Sequence, residues 1–159
     1  MFSKIINRTF YIAKRSRSKS NIQNYIKVNA NDAMKAIDIK KFYNPYVPIK
    51  TDGNAYMSDN DVHRLCLKTL EPKLVSGAKV LDIGTGSGYL TACIAYMIEN
   101  NHMIGEFDNK GKVYGIEHVP ELAQLTKKNL FDIGLNNVDI QCMDGRKGHN
   151  SDIKFDAIN

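Results

Sequence analysis

Residues 79–92 read Lys79-Val-Leu-Asp-Ile-Gly-Thr-Gly-Ser-Gly-Tyr-Leu-Thr-Ala92, an apolar run followed by three alternating glycines and the start of an amphipathic segment. The apolar run predicts a strand buried on both faces, as in a parallel sheet. Leu90, Ile94 and Met97 then follow at spacings of four and three, which predicts a helix with one buried face. A strand, a glycine turn and a helix in this order are typical of a nucleotide-like ligand site.

The glycines themselves narrow the ligand class. Gly84, Gly86 and Gly88 permit positive φ and let a ligand approach the main chain, and the helix behind them starts with free N–H groups and a partial positive charge. Their spacing, Gly-x-Gly-x-Gly, departs from the Gly-x-Gly-x-x-Gly of nicotinamide sites. The pattern therefore favours a ligand other than a dinucleotide, and a tight turn without a ligand is the plainer alternative.

A second strand is predicted over Lys112–Glu117. Glu117 stands at its carboxyl end, where open α/β sheets bind their ligands, so its carboxylate could accept from both hydroxyls of a ribose. The alternative is a solvated acid beside the helix that begins near Pro120. That helix should extend to about Ile133 and stop at Gly134.

A third strand is predicted over Val138–Met143, and it runs into the turn Asp144-Gly-Arg-Lys-Gly148. Asp144 at this edge of the sheet could accept from the exocyclic amine of an adenine. The alternative is an ordinary turn, since Asp-Gly is a common turn dipeptide. Phe155–Asn159 then begins a fourth strand at the end of the sequence.

Four segments in this order resemble the protein-L-isoaspartate O-methyltransferase family, a group of the seven-strand, S-adenosylmethionine-dependent methyltransferases. They are Leu81–Cys93, Gly115–Leu122, Asp144–Gly148 and Phe155–Ile158. The resemblance extends from about residue 18 to residue 159, with 31–46 similar to the opening helix of the family and 58–70 to its substrate loop and next helix. It implies an α/β fold with a Rossmann-like, doubly wound and mostly parallel sheet, truncated here after the fourth strand.

The resemblance also implies a domain organisation and a cofactor. Residues 1–17 would form a basic extension, 18–76 the substrate-side helices and loop, and 77–159 the cofactor-binding half. S-adenosyl-L-methionine would lie with its methionine part on the glycine turn, its ribose on the acid at 117 and its adenine at 144 and 145. The implied cofactor-binding residues are Ala55, Tyr56, Met57, Ser58, His63, Asp82, Gly84, Gly86, Ser87, Gly88, Glu117, His118, Asp144 and Gly145.

The family methylates the α-carboxylate of L-isoaspartyl residues in damaged proteins, which starts their repair. The resemblance makes Ser58 the catalytic and substrate-binding serine, and His63 a second substrate-binding residue. Without the resemblance, Ser58 would be the N-cap of a helix through Val62, Leu65, Cys66 and Leu70, with Asp61 completing a capping box. His63 would then be a partly exposed helix residue.

The substrate loop departs from the family pattern. The chain has Tyr56-Met57 where the family has Thr-Ile, and Asn60-Asp61 where it has Pro-His. Asp61 places negative charge where an anionic acceptor should dock, and two like charges ~4 Å apart repel by about 4 kcal/mol at an effective dielectric constant near 20. Two alternatives follow: a catalytically silent binding protein that keeps the cofactor pocket, and a methyltransferase with another acceptor.

The composition, 159 residues of which 43% are hydrophobic, predicts one core. No run approaches the ~20 apolar residues of a membrane span. A doubly wound sheet that ends at its fourth strand would leave an apolar edge and an uncovered face, so we expect a fragment, a truncated product or an unstable isoform. Cys66, Cys93 and Cys142 are expected to be reduced and mostly buried, and the cysteines and histidines show no metal-ligand spacing.

The positive charge is concentrated at the N-terminus. Residues 1–31 contain seven Lys or Arg and no acid, whereas the net charge of the whole chain is only +5. Phe2, Ile5, Ile6 and Phe10 can share one helical face, which is typical of a mitochondrial transit peptide. The alternative is a disordered basic tail in a cytoplasmic protein. We expect isoaspartyl proteins and peptides as partners, neither nucleic acid nor membrane, and a monomer.

Overall fold

The computed structural model describes residues 25–42, 57–103, 111–149 and 152–159. The strands are β1 (Tyr25–Ile26), β2 (Lys79–Ile83), β3 (His102–Met103), β4 (Lys112–Glu117), β5 (Val138–Cys142) and β6 (Ala157–Ile158). The α-helices are α1 (Ala30–Ala36), α2 (Asn60–Leu70), α3 (Tyr89–Asn100) and α4 (Pro120–Asp132). Short 3-10 helices cover Ile39–Lys41, Glu71–Lys73 and Gly145–Lys147.

The main sheet has four parallel strands in the order β5-β4-β2-β6. Its register aligns Val80 with Val113 on one side and with Ala157 on the other. The four predicted strands are therefore confirmed, and they form the mostly parallel α/β sheet that was expected. Parallel pairing also brings the carboxyl ends of β2, β4 and β5 to one edge, where the candidate site lies.

The two faces of the sheet are covered unequally. Val80 and Val113 are fully buried in the main hydrophobic core. Leu81 and Ile116, whose side chains alternate to the other face, are also buried, but Ile83 and Ile158 are 43% and 60% exposed. Burial of β2 on both faces is thus confirmed for its central residues and wrong for Ile83.

The environment of α3 is more enclosed than predicted. Besides the expected Ile94 and Met97, Thr91, Ala92 and Ala95 are buried, so apolar packing surrounds most of the helix. The reason is tertiary: α3 contacts β4 on one side and α1 and α2 on the others. A helix enclosed in this way needs no polar face.

The buried face of α2 also differs from the prediction. His63, Leu67 and Leu70 are buried, whereas Val62 and Leu65 are 46% and 67% exposed. Positions 63, 67 and 70 are themselves spaced by four and three, so the sequence contains two overlapping helical patterns. Packing against α3 selects the one that includes the histidine.

A small antiparallel ribbon was not foreseen. β1 pairs with β3, a two-residue strand that closely follows α3. Buried Asn101 fixes this region, because its side chain accepts from the N–H of Val28 and donates to the carbonyl of Leu74, 2.6 Å away. The ribbon therefore ties the N-terminal side of the described chain to the end of α3.

The cysteines follow the prediction in part. Cys93 is buried and Cys66 is half-buried, but Cys142 is exposed because it ends β5, the edge strand of the sheet. The proposed helical face of residues 2–10 lies outside the described residues. Among the described helices, none combines the length and apolar character that crossing a bilayer requires.

Candidate functional site

Three predicted site segments meet at the carboxyl edge of the sheet. The N–H of Gly84 donates to the carbonyl of Ile116, 2.7 Å away, and so joins the glycine turn to the end of β4. The N–H of Met143 donates to the carbonyl of Glu117 at 3.0 Å, which joins β4 to the end of β5. The structure therefore brings the glycine turn, Glu117 and Asp144 to the same edge.

The glycine turn has the left-handed backbone that its spacing predicted. Gly84, Gly86 and Gly88 have φ values of 87°, 57° and 89°. A Cβ built on Gly84 or Gly86 would meet nothing within 4 Å, whereas one on Gly88 would lie 2.9 Å from Cγ2 of Thr126. The first two glycines thus border open space that a ligand could enter, and the third is required by contact with α4.

Two side chains of α4 that were not predicted as site residues donate hydrogen bonds to carbonyl groups of this turn. The Thr126 hydroxyl donates to the carbonyl of Gly86 at 2.7 Å, and Nδ2 of Asn129 donates to the carbonyl of Ser87 at 2.9 Å. Both side chains are buried. The sequence could have predicted their role. They are spaced by three on the same helix as buried Leu122 and Leu130, and polar residues on a buried helix face need hydrogen-bond partners.

Glu117 is 3% exposed, so the alternative of a solvated acid is wrong. Its Oε2 accepts from the N–H of Gly86 at 2.9 Å, and its Oε1 accepts from the N–H of Val119 at 3.0 Å. A carboxylate offers about four lone-pair sites, so acceptor capacity remains beyond these two bonds. Neighbouring His118 is mostly exposed, with Nδ1 3.3 Å from Oε1 of Glu117.

Asp82, predicted as a cofactor residue, lies in the interior with 2% exposure. It accepts from the Thr91 hydroxyl at 2.5 Å and from Nδ2 of Asn159 at 2.9 Å. Burial raises the pKa of Asp82, those two hydrogen bonds oppose the rise, and the charge of Glu117 adds to it. The described geometry thus links Asp82 to α3 and the last residue of the chain.

Asp144 caps a 3-10 turn, as the turn interpretation required. Its carboxylate accepts from the Arg146 backbone N–H at 3.0 Å and from Nη2 of the same side chain at 2.8 Å. The hydrogen bonds from Arg146 lower the pKa of Asp144 to about 2. A Cβ on Gly145 would lie 2.6 Å from Cγ2 of Ile83, so only glycine allows this turn to approach the end of β2 so closely.

The predicted acceptor residues have different environments. Ser58 is exposed and lies before α2, whose N-cap is Asp59, a side chain that accepts from the N–H groups of Asp61 and Val62. Ser58 as the helix cap is therefore wrong, because the helix begins one residue later than that alternative required. Met57 packs half-buried against the core, and Ala55 and Tyr56 lie outside the described residues.

His63 is 5% exposed, so the alternative of a partly exposed helix residue is wrong. Its ring lies 5.0 Å from the ring of Tyr89, the first residue of α3. Nδ1 of His63 is buried and has no hydrogen-bond partner within the described chain. Burial lowers the pKa of His63, with the charge of Asp59 acting in the opposite direction, so the imidazole is neutral at pH 7.

The charge of Asp61 is less obstructive than its position in the sequence suggested. Its side chain is 90% exposed and its Oδ1 lies 3.1 Å from Nη1 of Arg64, one turn later on α2. The ion pair offsets the negative charge on the solvent side of the helix. Across the described ranges, no group of three or more His, Cys, Asp or Glu side chains is arranged to hold a metal ion.

Comparison with known proteins places this chain in a family. The model of the family described as protein-L-isoaspartate(D-aspartate) O-methyltransferase matches residues 15–159. A Caenorhabditis elegans protein-L-isoaspartate O-methyltransferase is 39% identical over 138 residues, which are 81% of this chain and 57% of that protein. Arabidopsis thaliana protein-L-isoaspartate O-methyltransferase 1 is 32% identical over 162 residues, with 92% of this chain and 66% of that protein covered.

Solved structures agree with the sequence relatives. A Plasmodium falciparum structure described as a protein-L-isoaspartate O-methyltransferase, in complex with S-adenosyl-L-homocysteine, matches with a TM-score of 0.65 and 25% identity over 81% of this chain and 63% of that chain. The chain thus spans 57% to 66% of the length of these three proteins. On the family match over residues 15–159, this chain belongs to the protein-L-isoaspartate(D-aspartate) O-methyltransferase family.

Proposed function

We propose that the chain carries the cofactor-binding half and part of the acceptor site of an S-adenosyl-L-methionine-dependent protein carboxyl O-methyltransferase. Its acceptor is the α-carboxylate of L-isoaspartyl residues, and its role is protein repair. The observation that carries the proposal is buried Glu117, hydrogen-bonded to Gly86 of a turn whose first two glycines border open space. Membership of the family supports the acceptor class.

The residues at the sheet edge fit this cofactor. Gly84, Gly86 and Ser87 would hold its methionine part, because the main chain of both glycines faces open space. Glu117 would accept from the ribose hydroxyls with the lone pairs that its backbone bonds leave free. Asp144 would accept from the adenine amine beside Gly145. The bound cofactor supplies a methyl group already activated by its sulfonium.

The protein then has to position an acceptor rather than create a nucleophile. A carboxylate is ionised near neutral pH, so no general base is required. Aligned reactants in a dry site can reach an effective molarity of ~10⁵ M or more. Ser58 would donate its hydroxyl to the carboxylate, and the neutral imidazole of His63, packed on Tyr89, would border the same site.

The test is methyl transfer to an L-isoaspartyl peptide, with the same peptide containing ordinary aspartate as the control. The expected product is a base-labile methyl ester on the isoaspartyl peptide alone. Ser58→Ala should raise the KM for the peptide more than it lowers cofactor affinity, because the hydroxyl would bind the acceptor carboxylate directly, whereas most of the cofactor contacts would lie on the glycine turn, Glu117 and Asp144. Base-stable methylation of another acceptor, or cofactor binding without any transfer, would contradict the proposed acceptor.

We further propose a cytoplasmic monomer in which residues 18–76 serve the substrate side and 77–159 the cofactor side, with 1–17 as a basic extension. The Lys and Arg of the extension, unaccompanied by acids, also fit a mitochondrial transit peptide. A fluorescent reporter fused to residues 1–25 separates the two locations. Diffuse cytosolic fluorescence is expected, and mitochondrial import would overturn the cytoplasmic assignment. Elution of the purified chain as a dimer from a size-exclusion column would contradict the proposed monomer.

A further inference from the structure

A pocket of about 420 Å³ lies between α1 and α2, next to the acceptor side of the candidate site. Each helix contributes an amide and a cation four residues apart: Asn31 and Lys35 from α1, and Asn60 and Arg64 from α2. Residues spaced by four lie on one face of a helix, so the two pairs are presented to the same space. This arrangement offers hydrogen-bond donors and positive charge from two sides.

The remaining walls limit what the pocket can hold. Met34 and Ile39 line it with apolar surface, and Tyr89, whose ring contacts His63, lines it where α3 begins. A side chain with a short aliphatic stem and an anionic end would fit this pocket. Its stem would contact the apolar residues, and its anionic end would lie near the two cations. None of the described residues that line the pocket belongs to the glycine turn, Glu117 or Asp144, so this group would belong to the acceptor polypeptide rather than to the cofactor.

Arg64 has unused donor capacity. Its Nη1 is paired with exposed Asp61, but its Nε is buried and meets no hydrogen-bond acceptor in the described part of the chain. A buried donor without a partner is costly, and an incoming carboxylate would satisfy it with a charge-assisted bond. His63 Nδ1, one residue earlier, is also buried and unpartnered within the described ranges, so two polar atoms at adjacent positions lack partners.

We propose that this pocket binds the carboxylate of an acidic side chain close to the modified residue in the acceptor polypeptide, with Arg64 and Lys35 as its cationic ligands. The inference rests on the proposed function, whose acceptor it narrows to isoaspartyl sites with a neighbouring Asp or Glu. It assigns to Arg64 and Lys35 a role in choosing among acceptors, and none in the transfer itself.

The test uses short L-isoaspartyl peptides that carry Glu, Gln or Lys at one of the two positions on either side of the modified residue. Binding is measured by fluorescence anisotropy of labelled peptides in the presence of S-adenosylhomocysteine, and KM and kcat by methyl transfer. At one of these positions the Glu peptide should bind about fivefold to tenfold more tightly than the Gln peptide. Added salt should reduce this ratio.

Matched variants assign the effect to the pocket. Arg64→Gln and Lys35→Gln, on different helices, should each bring the Glu-to-Gln ratio close to one and leave affinity for S-adenosylhomocysteine unchanged. Lys68→Gln removes the same charge from the exposed side of α2 and should preserve the ratio. Asp61→Asn should increase the ratio, because it releases Nη1 of Arg64.

The outcomes separate this inference from the proposed function. Equal binding of Glu and Gln peptides at every position, or a preference that survives in both pocket variants, would overturn the inference. Methyl transfer that shows no preference for the Glu peptide would overturn the inference but leave the proposed function intact. A Glu preference in binding without any methyl transfer would support the pocket and contradict the enzyme.

Discussion

Glu117 is the residue on which the proposed cofactor site depends most. Its two oxygens accept from backbone N–H groups on opposite sides, Gly86 of the glycine turn and Val119 before α4. Both bonds leave the carboxylate fixed at the carboxyl end of β4 with little rotational freedom. A fixed, buried acceptor that still has lone pairs is well suited to read a pair of adjacent hydroxyls.

Replacing Glu117 by Gln should weaken binding of S-adenosylhomocysteine by about tenfold to a hundredfold. The amide removes the charge and turns one end into a donor that faces a backbone N–H. Calorimetric titration measures the loss, and circular dichroism checks that the variant folds. Glu121→Gln, an exposed acid in the first turn of α4, is the matched control and should bind as the parent does. Unchanged affinity in folded Glu117→Gln would refute the ribose assignment.

Asp82 makes a pH-dependent contribution to stability. Burial raises its pKa above the ordinary 3.8, so the folded chain holds this proton more tightly than the unfolded chain does. Between 3.8 and the folded-state pKa, the contribution of Asp82 to the free energy of unfolding therefore falls as the pH rises. Asp82→Asn cannot ionise and should lack this fall.

Urea unfolding of both proteins across this pH range measures the effect. The stability of the parent relative to the variant should decrease with increasing pH and then level off. A difference that stays constant with pH would show that Asp82 does not take up its proton on folding.

At the residue scale, the sequence predicted the positions of the candidate site residues better than it predicted their surroundings. Glu117 and Asp144 were placed at the correct edge because strand ends can be read from apolar runs. The N-cap was wrong because Ser58 and Asp59 are adjacent and both are good caps, so only the backbone distinguishes them. Burial of His63 depends on its contact with Tyr89, which is distant in sequence.

The contribution of backbone strain to stability can be separated from that of steric contact by comparing Gly88 of the glycine turn with Gly77, which precedes β2. Gly88 has a positive φ and would also bring a Cβ within 2.9 Å of Thr126, whereas Gly77 has φ 78° and open space around it. The two positions share the same backbone strain and differ in steric contact. They therefore form a matched pair.

Gly77→Ala should destabilise the protein by about 1 kcal/mol through strain alone. Gly88→Ala should cost about 2 to 4 kcal/mol, because Thr126 cannot move without losing its bond to the Gly86 carbonyl. Chemical denaturation measures both values. Equal losses would mean that contact with α4 does not restrict the turn.

Element boundaries were largely predictable, and element environments were not. The bounds of β4 and α4 agree with the sequence because a strand end and the stop at Gly134 have local signals. The buried stripe of α2 could not be predicted because the local period fits two stripes, and the enclosure of α3 could not because it depends on α1, α2 and β4 packing around it. The β1–β3 ribbon joins residues 25–26 to 102–103, so its partners lie too far apart to be recognised locally.

The whole molecule has a fold that its relatives share, but it covers only part of their length. The four-stranded parallel sheet and its ligand edge were predictable, because each strand–turn–helix unit carries its own signals. The pocket between α1 and α2 was not, because it depends on how two helices face each other. We expect that this chain alone forms a working cofactor site.

Calorimetric titration of the folded 159-residue chain with S-adenosylhomocysteine tests that claim most directly. Saturable binding at a single site is predicted, because the glycine turn, Glu117 and Asp144 all lie in the described part of the chain and meet at one edge. The same sample should then show methyl transfer from S-adenosylmethionine to an L-isoaspartyl peptide. Absence of binding by a folded chain would contradict the account.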